Sequence, residues 1–287
     1  MSVHDRLDLA RWVDQFPLSR LRAEARQYVL ERRKELPHEY PDTKAIDDHI
    51  ALMSPRWDIV VGPAAVAVNE QLRAEAIAAG ARPGTRIPTD VIVWSKGEPT
   101  HRAITKTGGL PYRPANVAWP TGAHGEPLRF VGQLCFADSR DILPAMPADV
   151  LLVFGDDDAL LAEPERLVFE WWSLTNAPLV SEMPAVEDPL VPFHANLHRT
   201  DDWDDALFEG TKIGGLPQFI QDVPDASGAF IAAIGSISVA PDREYPFVNV
   251  PEPRGWSHEN DLMIGDMGSL YLFVRPDGSV EAVAQCY

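Results

Sequence analysis

The chain has 287 residues, 45% hydrophobic and 24% charged, with a formal net charge of −18. That length and apolar fraction exclude a disordered chain and suffice for one large domain or two intimately packed halves. The charge argues against nucleic acid and anionic lipid as partners, because a field of that sign repels phosphate.

The first ninety or so residues read as helical. Ser19 caps a segment carrying Leu21, Ala25, Tyr28 and Val29 on one face, which Pro37 ends. A shorter helix is predicted over about Thr43–Met53, and another over Ala64–Ala79 with Gly80 as its terminator. After Pro83-Gly84 the pattern changes to short apolar runs separated by turn-formers. Strands are expected at Asp90–Trp94, Phe130–Phe136, Val150–Phe154, Phe230–Ile234 and Ser269–Val274. No strand–helix–strand rhythm appears, so the predicted fold class is α+β: a mainly antiparallel β body with the N-terminal helices packed on it. The predicted domains are a helical region over 1–85 and a β-rich body over 86–287.

Lys106-Thr107-Gly108-Gly109-Leu110-Pro111 returns 106 residues later as Lys212-Ile213-Gly214-Gly215-Leu216-Pro217, with five identities in six positions. Each copy precedes a strand-like run and, later, a second one. An internal duplication is therefore expected, with repeat 1 over about 91–160 and repeat 2 over about 205–287. The loop from Pro241 through Trp256 to His258 is too long for an idle connection and is a candidate functional loop.

On these elements the chain resembles the YwqG-like family, bacterial proteins catalogued as a domain of unknown function. The resemblance is carried by Thr105–Pro111, the pair Trp119-Pro120, the stretch Pro127–Leu134, the strand Leu151–Phe154, the second element Gly214–Pro217 and Gly265-Asp266-Met267-Gly268. It covers roughly Val91 to the C-terminus, with Gly132 where the family usually has alanine. The resemblance implies an α+β protein with an internal repeat and supplies no catalytic residue. Family members beside secreted-toxin systems make a toxin-neutralising, immunity-type role one of its implications.

Adjacent glycines permit positive φ, so each motif either presents amides to an anion beside its lysine or forms a turn that starts a strand. Lys106, Gly108, Gly109, Lys212, Gly214 and Gly215 are accordingly ligand-binding candidates. Gln133, a polar amide in an apolar strand, and Asp266, between glycine-rich turns, join them as groups that line a cleft or satisfy nearby backbone. His194 and His198, four apart and followed by aspartates, form the only metal-like arrangement. They lack the His-Glu-x-x-His form, and Pro192 and Thr200 favour a loop there, so no metal is assigned. Trp119, Trp203 and Trp256, with His258, are the candidate anchors for a protein partner, because tryptophans in loops are preferred interface residues.

No nucleophile elbow, dinucleotide fingerprint or paired Cys-x-x-Cys is present, so an enzyme is not the leading expectation and no cofactor is assigned. Charge adds the rest. Residues 101–287 hold 11 Lys and Arg against 28 Asp and Glu. The expected function is a binding protein for a basic protein partner, as neutraliser or inhibitor; the alternative is a small-molecule or anion-binding protein, possibly an enzyme, with its site between the repeats. No apolar run reaches bilayer-spanning length, the first residues lack a secretory layout, and Cys135 and Cys286 have no metal-type spacing. A cytoplasmic protein with no membrane contact is expected.

Overall fold

The computed structural model describes residues 30, 34, 63–80, 84–186, 188–203, 210–237, 262–266 and 268–286. The chain separates into two compact units, one spanning Asp8–Pro83 and the other carrying the residues from Gly84 onward. In the first unit, helix α1 (Pro63–Ala78) occupies the third predicted helical segment. Gly80 follows it at φ 94°, the left-handed conformation in which a helix end is commonly closed. Of the two helices predicted before it, the first is described only at Leu30 and Lys34, both helical, and the second lies outside the described residues.

The second unit is dominated by one antiparallel, nearly closed sheet of ten strands. In chain order these are β1 (Ile87–Lys96), β2 (Lys106–Thr107), β3 (Arg129–Cys135), β4 (Val150–Gly155), β5 (Val168–Trp172), β6 (Phe193–Asp202), β7 (Lys212–Gly214), β8 (Ala229–Gly235), β9 (Ser269–Val274) and β10 (Val280–Gln285). A five-residue helix, α2 (Asp157–Leu161), and a 3-10 turn (Pro164–Arg166) connect β4 to β5. The Asp156 carboxylate caps α2 by accepting from the Ala159 amide at 2.9 Å. The mixed α+β class expected from the sequence is thus the class observed.

The strands run across the sheet in the order β10-β9-β8-β7-β1-β6-β2-β3-β4-β5. If β1 to β5 are matched with β6 to β10, this order reads the same from either edge. At its centre β1 and β6 pair over ten positions, from Ile87 opposite Asp202 to Lys96 opposite Phe193. On the outer side of each, the neighbour comes from the other part of the chain: β1 pairs with β7, and β6 with β2. The β3–β4 register skips one residue between Phe130 and Gly132, and the β8–β9 register skips one between Phe230 and Ala232. An extra residue at such a point bends the strand and tightens its twist, which helps a wide sheet curl.

Burial follows from composition. β3 and β4 are buried on both faces, as expected of runs rich in Val, Leu and Phe. One face of this pair carries Phe130, Cys135, Val150, Leu152 and Phe154, roofed by loop residues including Tyr112, Trp119 and Leu179. The matching face of β8 and β9 carries Ala233, Tyr271 and Phe273 under Phe219 and Ala226. The sequence left β5, β6 and β10 unassigned. β6 includes His194 and His198, which were expected in a loop; alternation of buried Phe193, Ala195 and Leu197 with half-exposed polar residues makes it a strand instead.

Candidate functional site

Two lysine clamps stand on either side of the central strand pair. Lys106 enters from β2, where it lies opposite Gln133 on β3 and His194 on β6. Its side chain is fully buried, and the ammonium donates to the Glu98 carboxylate and, at 3.0 Å, to the Leu110 carbonyl. Glu98 also accepts from the Leu110 amide at 2.8 Å, so one carboxylate ties both ends of the turn. Lys212 enters from β7 and donates to Asp202 at 2.7 Å, while Asp202 accepts from the Leu216 amide at 3.0 Å. The same three groups recur in the same roles: a motif lysine, an upstream carboxylate and the leucine amide that follows the glycines.

The paired glycines are what let each carboxylate come so close. Gly109 and Gly215 have φ of 61° and 72°, and a Cβ on either would fall on the carboxylate of Glu98 or Asp202 respectively. Gly108 and Gly214, at φ 58° and 72°, complete the turns. One further contact repeats. The Thr105 hydroxyl oxygen accepts from the Cys135 amide at 2.8 Å, and that of Thr211 accepts from the Gly235 amide at 3.0 Å.

The two clamps differ in exposure. The Glu98 side chain is 42% exposed, whereas that of Asp202 is fully buried. Burial pushes the Lys106 ammonium below its ordinary pKa, and the Glu98 carboxylate only partly offsets that. Gln133 is likewise committed. Its carbonyl accepts from the Tyr112 amide at 2.7 Å, and its amide donates to the Arg102 and Ile104 carbonyls, each at 2.7 Å. Asp266 is exposed in a turn beside Gly265. Thus the structure brings Lys106 and Gln133 together, sets Lys212 across β1 and β6 from them, and leaves Asp266 on the surface.

The described tryptophans are held by the fold. The Trp119 indole donates to the Leu128 carbonyl at 2.8 Å and meets Phe154 edge-on at 5.3 Å between centroids. Trp203 is buried, with the Arg86 guanidinium 5.3 Å from its ring. Trp256 and His258, with the long loop that carries them, lie outside the described residues. His194 and His198 share a face of β6, and the His194 Nδ1 sits 2.8 Å from the Gly97 carbonyl oxygen. Among the described residues no group of three His, Cys, Asp or Glu side chains is arranged to hold a metal ion. Burial pushes the Cys135 thiol up to about 12, which makes it a poor nucleophile at neutral pH.

Surface charge is unequally satisfied. The exposed arginines Arg86, Arg166 and Arg275 each face a carboxylate, at 3.8, 2.5 and 2.8 Å. Glu165, Glu182, Asp188, Asp222, Asp225 and Asp266 are exposed and make no ion pair among the described residues. Sequence reasoning missed Glu98 and Asp202. The available signal was a carboxylate eight residues before one motif lysine and ten before the other.

A mixed, mainly antiparallel body with two lysine-clamped glycine turns and an acidic surface is the class that this fold and site define. Residues 105–166, from Thr105 of the first clamp to the end of the 3-10 turn, match the family model described as Domain of unknown function (DUF1963), so a DUF1963, or YwqG-like, domain is matched over that part of the chain. Comparison with the curated proteins returns no match.

Proposed function

We propose that the protein is a non-enzymatic cytoplasmic binding protein that engages a basic protein partner, as a neutraliser or inhibitor of the immunity type, on a body built by internal duplication. The observation that carries the partner is the imbalance of charge: the described exposed arginines of the body face carboxylates of the same chain, while several exposed carboxylates make no ion pair among the described residues. The outward field is therefore negative, which attracts a cationic surface and accelerates encounter with it. Duplication is supported by the strand order that reads alike from both edges, the matched register skips and the two clamps. Two unpaired cysteines suit a reducing compartment. Among the described residues no helix is long and apolar enough to cross a membrane.

Capture on the immobilised full chain at low salt tests the partner. A cationic protein released as salt is raised is expected; retention of only neutral or acidic proteins contradicts the reading.

A second reading, an anion or small-molecule site at the motifs, has one observation in its favour. The Lys106 clamp is open to solvent on its Glu98 side. An anion there would have to displace Glu98, and a rise in melting temperature with inorganic phosphate, lost in Lys106→Met, would favour it over the partner reading.

A further inference from the structure

The sheet ends in two strands that have one ladder each. Among the described residues β5 pairs only with β4, and β10 only with β9. Their edges are drawn together without pairing. The Trp171 indole on β5 donates at 3.0 Å to the carbonyl of Gly278, in the turn that leads into β10. The contact across this seam is therefore a side chain meeting a turn, and among the described residues no strand is paired to the outward edge of β5 or β10. Such edges are templates for another strand, and proteins commonly blunt them with lysine or proline. Val168-Phe169-Glu170-Trp171-Trp172 and Val280-Glu281-Ala282-Val283-Ala284-Gln285 contain neither.

The surroundings of the seam select what fits it. The loop carrying Asp222 and Asp225 is tied to the end of β10: the Gln221 amide donates to the Gln285 side chain at 3.0 Å, and the Gln285 amide group donates to the Asp222 carbonyl at 2.7 Å. On the other side, the 3-10 turn carrying Glu165 packs on β10, and the Gly265 amide donates to the Leu160 carbonyl at 3.1 Å, which brings Asp266 to the same region. Two apolar side chains stand out among these carboxylates, Val223 at 80% exposure and Leu161 at 51%.

We infer that an extended, lysine-rich segment of the basic partner binds along this seam as an added strand, its backbone on the open edge of β5 or β10 and its ammonium groups among Glu165, Asp222, Asp225 and Asp266. Strand addition supplies affinity through main-chain hydrogen bonds and specificity through alternate side chains. This inference rests on the basic-partner reading and assigns that reading its surface.

Hydrogen exchange on the full chain tests it, with a short capped peptide of alternating lysine and valine as the probe. A second peptide of the same sequence, N-methylated at alternate residues, keeps the charge and loses the donors on one edge. Slowed exchange over Val168–Trp172 or Val280–Gln285 with the first peptide only is the expected result. The variant E165Q/D222N/D225N, whose replaced side chains make no described ion pair, should bind the first peptide about tenfold more weakly at low salt. Equal binding of both peptides, protection confined to other strands, or no binding of the first peptide overturns the seam. Those outcomes leave the partner reading standing if capture still yields a cationic protein, so the two failures are distinguishable.

Discussion

Buried charge has the largest consequences at the level of single residues. Lys212 and Asp202 are both sealed from solvent, so Lys212→Met keeps most of the apolar stem and strands a carboxylate in the interior. Removing one partner of such a pair typically costs about 3–5 kcal/mol. Lys106→Met leaves Glu98, whose side chain is 42% exposed and can be hydrated in place. Its loss should be nearer ~1 kcal/mol, in the range of surface pairs. Urea unfolding of the two variants is the measurement, with Lys212→Met expected to have much the lower midpoint. Equal midpoints would mean that the two clamps are energetically alike despite their different burial.

The same residues show how far the sequence could be read. The glycine pairs and lysines were visible because identical residues recur, but their carboxylate partners were not. One is glutamate and the other aspartate, and they precede their lysines by different distances, since side-chain length and loop length compensate for each other. Gln133 illustrates a second kind of concealment. Its counterpart in the β8–β9 pair is Ala233, opposite Tyr271, where the first pair sets Gln133 opposite Leu152. The Tyr271 hydroxyl donates to the Gln218 carbonyl, whereas Gln133 accepts from the Tyr112 amide. In each pair one long polar side chain reaches the loop above the sheet, from adjacent strands, so position-by-position comparison finds no similarity.

Among the elements, the strands that were legible are those sealed on both faces. β1, β3, β4, β8 and β9 contain compact apolar runs, and each was expected close to where it lies. β5 and β10 are half-exposed edges with mixed composition, and β6 alternates polar with apolar residues over a stretch dense in histidine and aspartate. Their strand character comes from partners far along the chain, which local propensity does not reveal. β1 and β6 also carry a thermodynamic consequence, because each completes a sheet whose next strand belongs to the other part of the chain. The body should therefore open as one unit. Native-state hydrogen exchange should give the slow amides of β3 and β4 the same opening free energy as those of β8 and β9, and Lys212→Met should lower both together. A loss confined to β8 and β9 would show the two parts to be independent.

For the molecule as a whole, charge links the fold to the proposed function. A net charge of −18 opposes compaction through self-repulsion, and internal ion pairs such as Arg113–Glu170 and Arg199–Asp90 relieve that locally while the net charge stays negative. Residues 105–166 match the DUF1963 family model, and the lysine of the clamp motif near its start donates to Glu98. Among the described residues, the proposed recognition surface is the carboxylate-rich exterior and the seam between β5 and β10. The central claim is that this exterior captures a cationic protein by long-range attraction. The association rate constant of the purified chain with its captured partner, followed by stopped flow across ionic strengths, tests that claim most directly. A steep fall in rate with rising salt, and a dissociation rate that changes much less, is the expected result. An association rate that does not change with salt would contradict it.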